Sequence, residues 1–142
     1  MRYVLVVLAA AGVVVSAFAL QAHYSTHYLE LPCDINSRWS CGLVNHSRYA
    51  EVLGVPVALI GILGYSLLGV VAWFRLRLQF MALSIIALGI ALHFTYIEAN
   101  VLQMWCLYCV ISQGIIALLT ALSIGWWITC RCRKPAIPSQ AA

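Results

Sequence analysis

Four apolar runs, each close to the length that crosses a bilayer, leave this chain few ways to fold. They extend from about Tyr3 to Leu20, from Val55 to Phe74, from Phe80 to about Ile97 and from Trp105 to Ile128. A helix rising about 1.5 Å per residue needs roughly 20 apolar residues to cross the hydrocarbon core, and four such stretches nearly fill 142 residues. Lipid offers no partner for an open sheet edge, so all four are predicted as helices. With 64% hydrophobic and 8% charged residues, a soluble domain is excluded. The expected fold is all-α: an integral membrane four-helix bundle, one domain over residues 1–142, with an extramembrane cysteine-bearing loop and a short interfacial helix.

Basic residues set the orientation. Arg2 precedes the first run, Arg75 and Arg77 separate the second from the third, and Arg131, Arg133 and Lys134 follow the fourth. The bias of Lys and Arg toward the cytoplasmic side places both termini there. The acids Glu30, Asp34, Glu51 and Glu98, with Arg38 and Arg48, then fall on or near the periplasmic or lumenal side. Topology accounts for the net charge of +4, and no nucleic-acid partner is called for. Arg2, the first run, Ala17 and Ala19 also resemble a secretory signal with an A-x-A cleavage site. That run is longer than a usual signal core, and keeping it gives an even number of spans that agrees with the charges.

The sizeable polar segment, Gln21 to Gly54, divides at Cys41. The stretch Cys33 to Cys41 has no helical or strand periodicity and reads as a mobile loop. Beyond it, Ser47 is placed to cap a short helix carrying Tyr49, Val52 and Leu53, with Gly54 ending it and Pro56 opening the second span. Such a helix would lie flat at the membrane surface, as a lid or as a plain interfacial anchor.

Four of the six cysteines form two pairs on the expected exterior side, Cys33 with Cys41 and Cys106 with Cys109. A C-x-x-C at the start of a helix sits among unpaired backbone N–H groups at the positive end of the helix dipole, which favours the thiolate that attacks disulfides. A bridge between residues three apart in one helix constrains little, so stability is a poor reason for Cys106 and Cys109. Cys33 and Cys41 are also readable as a plain staple across the loop. A four-cysteine zinc site would need closer spacing than Cys33 and Cys41 have, and no metal is expected. Cys130 and Cys132 lie on the cytoplasmic side, where thiols stay reduced.

These residues resemble the vitamin K epoxide reductase family, in particular its bacterial quinone-linked disulfide-forming members. The likeness runs over nearly the whole chain: Cys33-Asp34 and Ser40-Cys41 in the loop, Ser47-Arg48-Tyr49 and Gly54 after it, Gly61 and Tyr65 in the second span, and Cys106-Leu107-Tyr108-Cys109 opening the fourth. The eight-residue step from Cys33 to Cys41 is similar to that of the animal enzymes. The resemblance implies that Cys109 faces a quinone of the ubiquinone, menaquinone or vitamin K type and that Cys106 exchanges with Cys41. Cys33 would accept electrons from a separate thioredoxin-like (DsbA-like) protein, by thiolate attack at every step. Two departures bear on substrate. Val57 stands where the animal enzymes have a quinone-binding asparagine, and Gln113 where they have a tyrosine. Vitamin K quinone or epoxide reduction is thus the alternative to oxidation of a protein partner. Gln113, Tyr65 or a lid residue such as Ser47 is left to hydrogen-bond a quinone, while Tyr65 also suits simple packing.

In the third span, His93, Tyr96 and Asn100 recur at helical spacing, suited to lining a pocket or to bonding across helices. Ala58, Gly61 and Gly64 permit close helix packing. A small tetraspan transporter would need an intramembrane charge; Glu98 alone is near enough, and that reading leaves four exterior cysteines without a purpose.

Overall fold

The computed structural model describes residues 2–26, 33–36 and 38–131, the side chains of residues 130 and 131 aside. Glu30, Cys132, Arg133 and Lys134 lie outside the described residues, as do the side chains of Cys130 and Arg131. Four long helices form the body: α1 (Arg2–Tyr24), α3 (Val57–Trp73), α4 (Arg77–Ile97) and α5 (Leu107–Arg131). Between α1 and α3 lies a cap made of the short helix α2 (Cys41–Asn45), a 3₁₀ turn (Arg48–Ala50) and a two-stranded hairpin of β1 (Glu51–Val52) and β2 (Val55–Pro56). Three helical stretches, Arg2–Tyr24, Arg77–Leu102 and Leu107–Thr129, are long and apolar enough to cross a membrane. The expected second span is shorter than its apolar run, because Val55 and Pro56 belong to β2 and the helix proper has 17 residues. At 1.5 Å per residue that is about 25 Å, the lower end of what spans a bilayer core.

The bundle is apolar outside as well as inside. Val7, Phe18, Leu63, Leu67, Ile86 and Leu118 are all exposed on the outer surface, a distribution suited to lipid. Inside, Leu5, Tyr65, Leu68, Phe80, Ile116 and Leu119 form one buried cluster. Helix α1 packs most extensively on α3, and two glycines make that approach possible. A Cβ on Gly61 would fall 2.8 Å from Ser16 Oγ, and one on Gly12 would overlap the Tyr65 ring. Gly64 departs from the packing role expected of it: nothing lies within 4 Å of the Cβ position, and it opens onto a cavity instead.

The ends of the helices follow local chemistry. Helix α3 ends in a Schellman motif, with Leu76 N–H donating to Val71 O and Arg75 N–H to Ala72 O. Arg75 takes the left-handed conformation, φ 59°, that glycine usually supplies, and α4 begins two residues later. Helix α4 continues into a π turn, Glu98–Leu102, which Gln103 ends at φ 52°. Such turns often mark functional sites.

The cap differs from expectation. Ser47 does not cap a helix over Tyr49, Val52 and Leu53; its Oγ donates to Val44 O at 2.7 Å and heads only the 3₁₀ turn. The helix forms earlier, where Ser40 Oγ accepts the Leu43 N–H at 3.3 Å. Gly54 closes a hairpin turn in place of a helix. Leu53 and Gly54 both have positive φ, 55° and 79°, as a two-residue type I′ turn requires. Pro56 directly precedes α3 as expected.

Candidate functional site: two cysteine pairs at a roofed cavity

The loop read as mobile is tied down. Asn36 Oδ1 accepts the Arg38 and Trp39 N–H groups, an Asx turn that tightens the bend. Ser40 N–H donates to Trp105 O at 3.1 Å, and Trp105 N–H donates to Arg38 O at 2.8 Å. These bonds join the loop to the residues just ahead of α5. Cys33 and Cys41 are thereby carried to Cys106, and the three pack with Val44 in one buried cluster.

The two pairs differ in their bonding. Cys33 and Cys41 form a disulfide across the loop, while Cys106 and Cys109 are free thiols. Cys106 precedes α5 and its carbonyl accepts the Val110 N–H at 3.0 Å, so it occupies the N-cap position, at the positive end of the helix dipole. Asn45 links the pairs: its Nδ2 donates to Cys41 O at 2.8 Å and reaches Cys106 Sγ at 3.5 Å. The Asn45 carbonyl in turn meets His23 Nδ1, and His23 Nε2 lies 3.3 Å from Glu51 Oε1. The end of α1 thus holds the cap.

Under the cap lies a cavity of about 690 Å³, walled by α1, α3, α4 and α5. That volume suits a ligand of drug or cofactor size, and the wall is mainly aliphatic. Cys109, Tyr65, Gln113 and Ser47 all line it. Cys106 does not, and is fully buried on the loop side. Tyr65 donates its hydroxyl hydrogen to Ser112 O at 2.8 Å and lies 2.9 Å from Ser112 Oγ, so its donor is already engaged. Gln113 Oε1 is buried without a hydrogen-bond partner among the described residues. Val57 is also on the wall and contributes no polar atom. Of the third-span candidates, His93 lines the cavity, whereas Tyr96 is exposed and Asn100 donates to Tyr96 O within its own helix. Among the described residues neither bonds across helices. Among the described residues no three His, Cys, Asp or Glu side chains are gathered to hold a metal ion.

Glu98 is the residue that sequence reasoning undervalued. It is 5% exposed, accepts the Cys106 N–H at 3.4 Å through Oε2 and shares the cavity wall with Cys109, with whose thiol it interacts electrostatically. Its signal was an acid at the end of an apolar run, eight residues before Cys106. Asn45 gave no signal, because its role depends on α2 packing against α5.

A membrane-embedded helical bundle that sets a disulfide beside a dithiol at an apolar cavity defines a class, the membrane thiol oxidoreductases. The family model described as "Vitamin K epoxide reductase family" matches residues 3–124, and the chain belongs to that family. Its members are linked in general to quinone or vitamin K redox chemistry and work with a membrane quinone and thioredoxin-like partners. The match takes in nearly all of α1, which packs on α3.

Proposed function

We propose that this protein oxidises a thioredoxin-like partner and passes the electrons to a membrane quinone, so that exported proteins acquire disulfides. The observation that carries this is the division of the C-x-x-C: Cys109 reaches from the cysteine cluster to the cavity wall, whereas Cys106 is buried among Cys33 and Cys41 and does not line the cavity. A pair so divided has one sulfur for each exchange.

A partner thiolate attacks Cys33 Sγ and Cys41 leaves as thiolate; the partner's second thiol then displaces Cys33, and the partner departs oxidised. Cys41 attacks Cys106 Sγ of the Cys106–Cys109 disulfide, and Cys109 is released into the cavity. Cys33 closes back on Cys41, which leaves Cys106 and Cys109 reduced. A quinone in the cavity supplies a two-electron, two-proton acceptor, and Cys106 and Cys109 return to the disulfide as quinol leaves. The cavity fits such a group: its wall is apolar, and the orphaned Gln113 amide accepts a quinol hydroxyl or, rotated, donates to a carbonyl.

Val57 and the engaged Tyr65 hydroxyl leave little with which to recognise an epoxide, so vitamin K epoxide reduction is the weaker reading. The paired cysteines are proposed to face the periplasm or lumen with both termini cytoplasmic, on the placement of Arg2, Arg75 and Arg77. The test is purified full-length protein supplied with a reduced DsbA-like protein and either ubiquinone or menaquinone analogues, with vitamin K epoxide in parallel. Equimolar partner oxidation and quinol formation are expected. Partner oxidation independent of quinone, or turnover of the epoxide alone, would overturn the assignment.

A further inference from the structure

Glu98 is a buried acid with no basic partner: the ion pair among the described residues joins His23 to Glu51 and leaves Glu98 aside. Burying a carboxylate is costly unless its oxygens are used, and here the carboxyl is set against the reacting pair. One oxygen holds the Cys106 N–H, and the carboxyl interacts electrostatically with the Cys109 thiol. The π turn that Glu98 opens places this acid beside α5, on the cavity wall. Thiol, carboxyl and ligand space are contiguous.

We propose that Glu98 is the proton relay of Cys109, taking the thiol proton as the disulfide forms and passing it to a quinone oxygen in the cavity. The proposal rests on the quinone reading above and deepens it. In the forward step the S–H bonds of Cys106 and Cys109 break and one S–S bond forms. The electron pair goes to the quinone. The Cys109 proton moves to the Glu98 carboxylate and on to one quinone oxygen, the Cys106 proton supplies the other, and quinol leaves with Glu98 again ionised. The other titratable groups on the same wall are His93 of α4, Tyr65 of α3, Tyr108 of α5, and Arg48, Tyr49 and Glu51 of the cap. The bond to the Cys106 N–H, together with the Cys109 sulfur on the same wall, distinguishes Glu98 from them.

The test uses full-length protein in lipid nanodiscs and two readouts. In the first, the Cys106–Cys109 dithiol is oxidised with ferricyanide, which takes electrons and no protons, in the absence of quinone while an infrared difference spectrum is recorded. With no quinone to take the proton, a carboxylic-acid carbonyl band should grow in. E98Q should lack the band and E98D should shift it, so the result does not depend on E98Q folding well. The second readout is ubiquinone-1 reduction driven by dithiothreitol. General acid–base catalysis typically supplies about 10²–10⁴-fold, so E98Q should be at least about 100-fold slower. Its residual rate should climb more steeply with pH than that of the wild type, as bulk base replaces the carboxylate. E98D should recover the rate to within about tenfold of wild type. A band unchanged in E98Q, wild-type quinone reduction by E98Q, or E98D as slow as E98Q with no band would each overturn the relay. Wild-type protein that shows the band yet reduces no quinone would instead sink the proposed function and leave the Glu98–Cys109 exchange standing.

Discussion

Cys33→Ala separates an electron relay from a structural staple, and the structure fixes what each predicts. The disulfide closes a loop with a sequence separation of 8, and chain entropy assigns its loss about 2.5 kcal/mol at 25 °C. That cost arises in the unfolded chain, so it should be the same for Cys33→Ala and for the double variant Cys33→Ala/Cys41→Ala. The folded loop keeps its other ties: Ser40 still caps α2, and the bonds of Ser40 and Arg38 to Trp105 remain. Cys41 therefore stays packed against Cys106. In quinone-replete membranes, where the C-x-x-C is oxidised, the single variant should accumulate a Cys41–Cys106 disulfide visible by mass spectrometry, and the double variant cannot. Small dithiols should still drive quinone reduction in both. Cys106 is fully buried, so they would enter at Cys109 through the cavity. A reduced protein partner should drive neither. Equal losses with both donors, and no trapped species in the single variant, would refute the relay and leave the staple.

Other outcomes are expected elsewhere in the molecule. Cys106→Ala should leave a protein partner reduced even with abundant quinone, as read by thiol trapping of the partner. Gly12→Ala should cost about 1–3 kcal/mol by forcing the Tyr65 ring off α1, and Tyr65→Leu should relieve most of that in a double-mutant thermal comparison. Gln113→Ala should raise the quinone KM by about three- to tenfold, the worth of one hydrogen bond. Tyr65→Phe, whose hydroxyl is held by Ser112, should lose about 1 kcal/mol of stability with KM unmoved. Membrane-impermeant thiol labelling of reduced intact cells should reach Cys33 or Cys41 and miss Cys130 and Cys132; the reverse pattern would invert the topology.

The bundle was legible because a bilayer is an unforgiving solvent. Each apolar run had to become a helix, and the core and lipid-facing positions needed no finer distinction to establish the fold. Legibility failed where the chain leaves the lipid. Ser47 looked like the better N-cap on its sequence context, yet Ser40 performs that task, since the preceding loop is fixed by Trp105 and not by anything near it in sequence. Likewise Leu53 and Gly54 read as the end of a helix, but the same pair of positive φ angles makes a hairpin turn once Glu51 and Val52 can pair with Pro56 and Val55. Local signals stated that the chain turns there, and only contacts decided how.

The site divides along the same line. Cysteine spacing and placement were enough to bring forward all four sulfurs, because their chemistry is carried by residue type. What spacing could not reveal is the asymmetry within the C-x-x-C, on which the proposed direction of electron flow depends. Cys106 and Cys109 are three residues apart, nearly one helical turn, and α5 alone would leave them equivalent neighbours. The loop disulfide, Asn45 and Val44 close over Cys106, while Cys109 reaches the wall of the cavity that Gly64 also lines. Glu98 then adds a second asymmetry, by holding the backbone N–H of the one cysteine and sharing the cavity wall with the other. Substituting Asn45 by Asp would keep its size while replacing the amide donor to Cys41 O and Cys106 Sγ with an acceptor. Exchange between Cys41 and Cys106 should slow, while reduction of quinone from Cys109 by a small dithiol should not. A matched slowing of both steps would mean that the amide serves the fold of the cap and not the exchange.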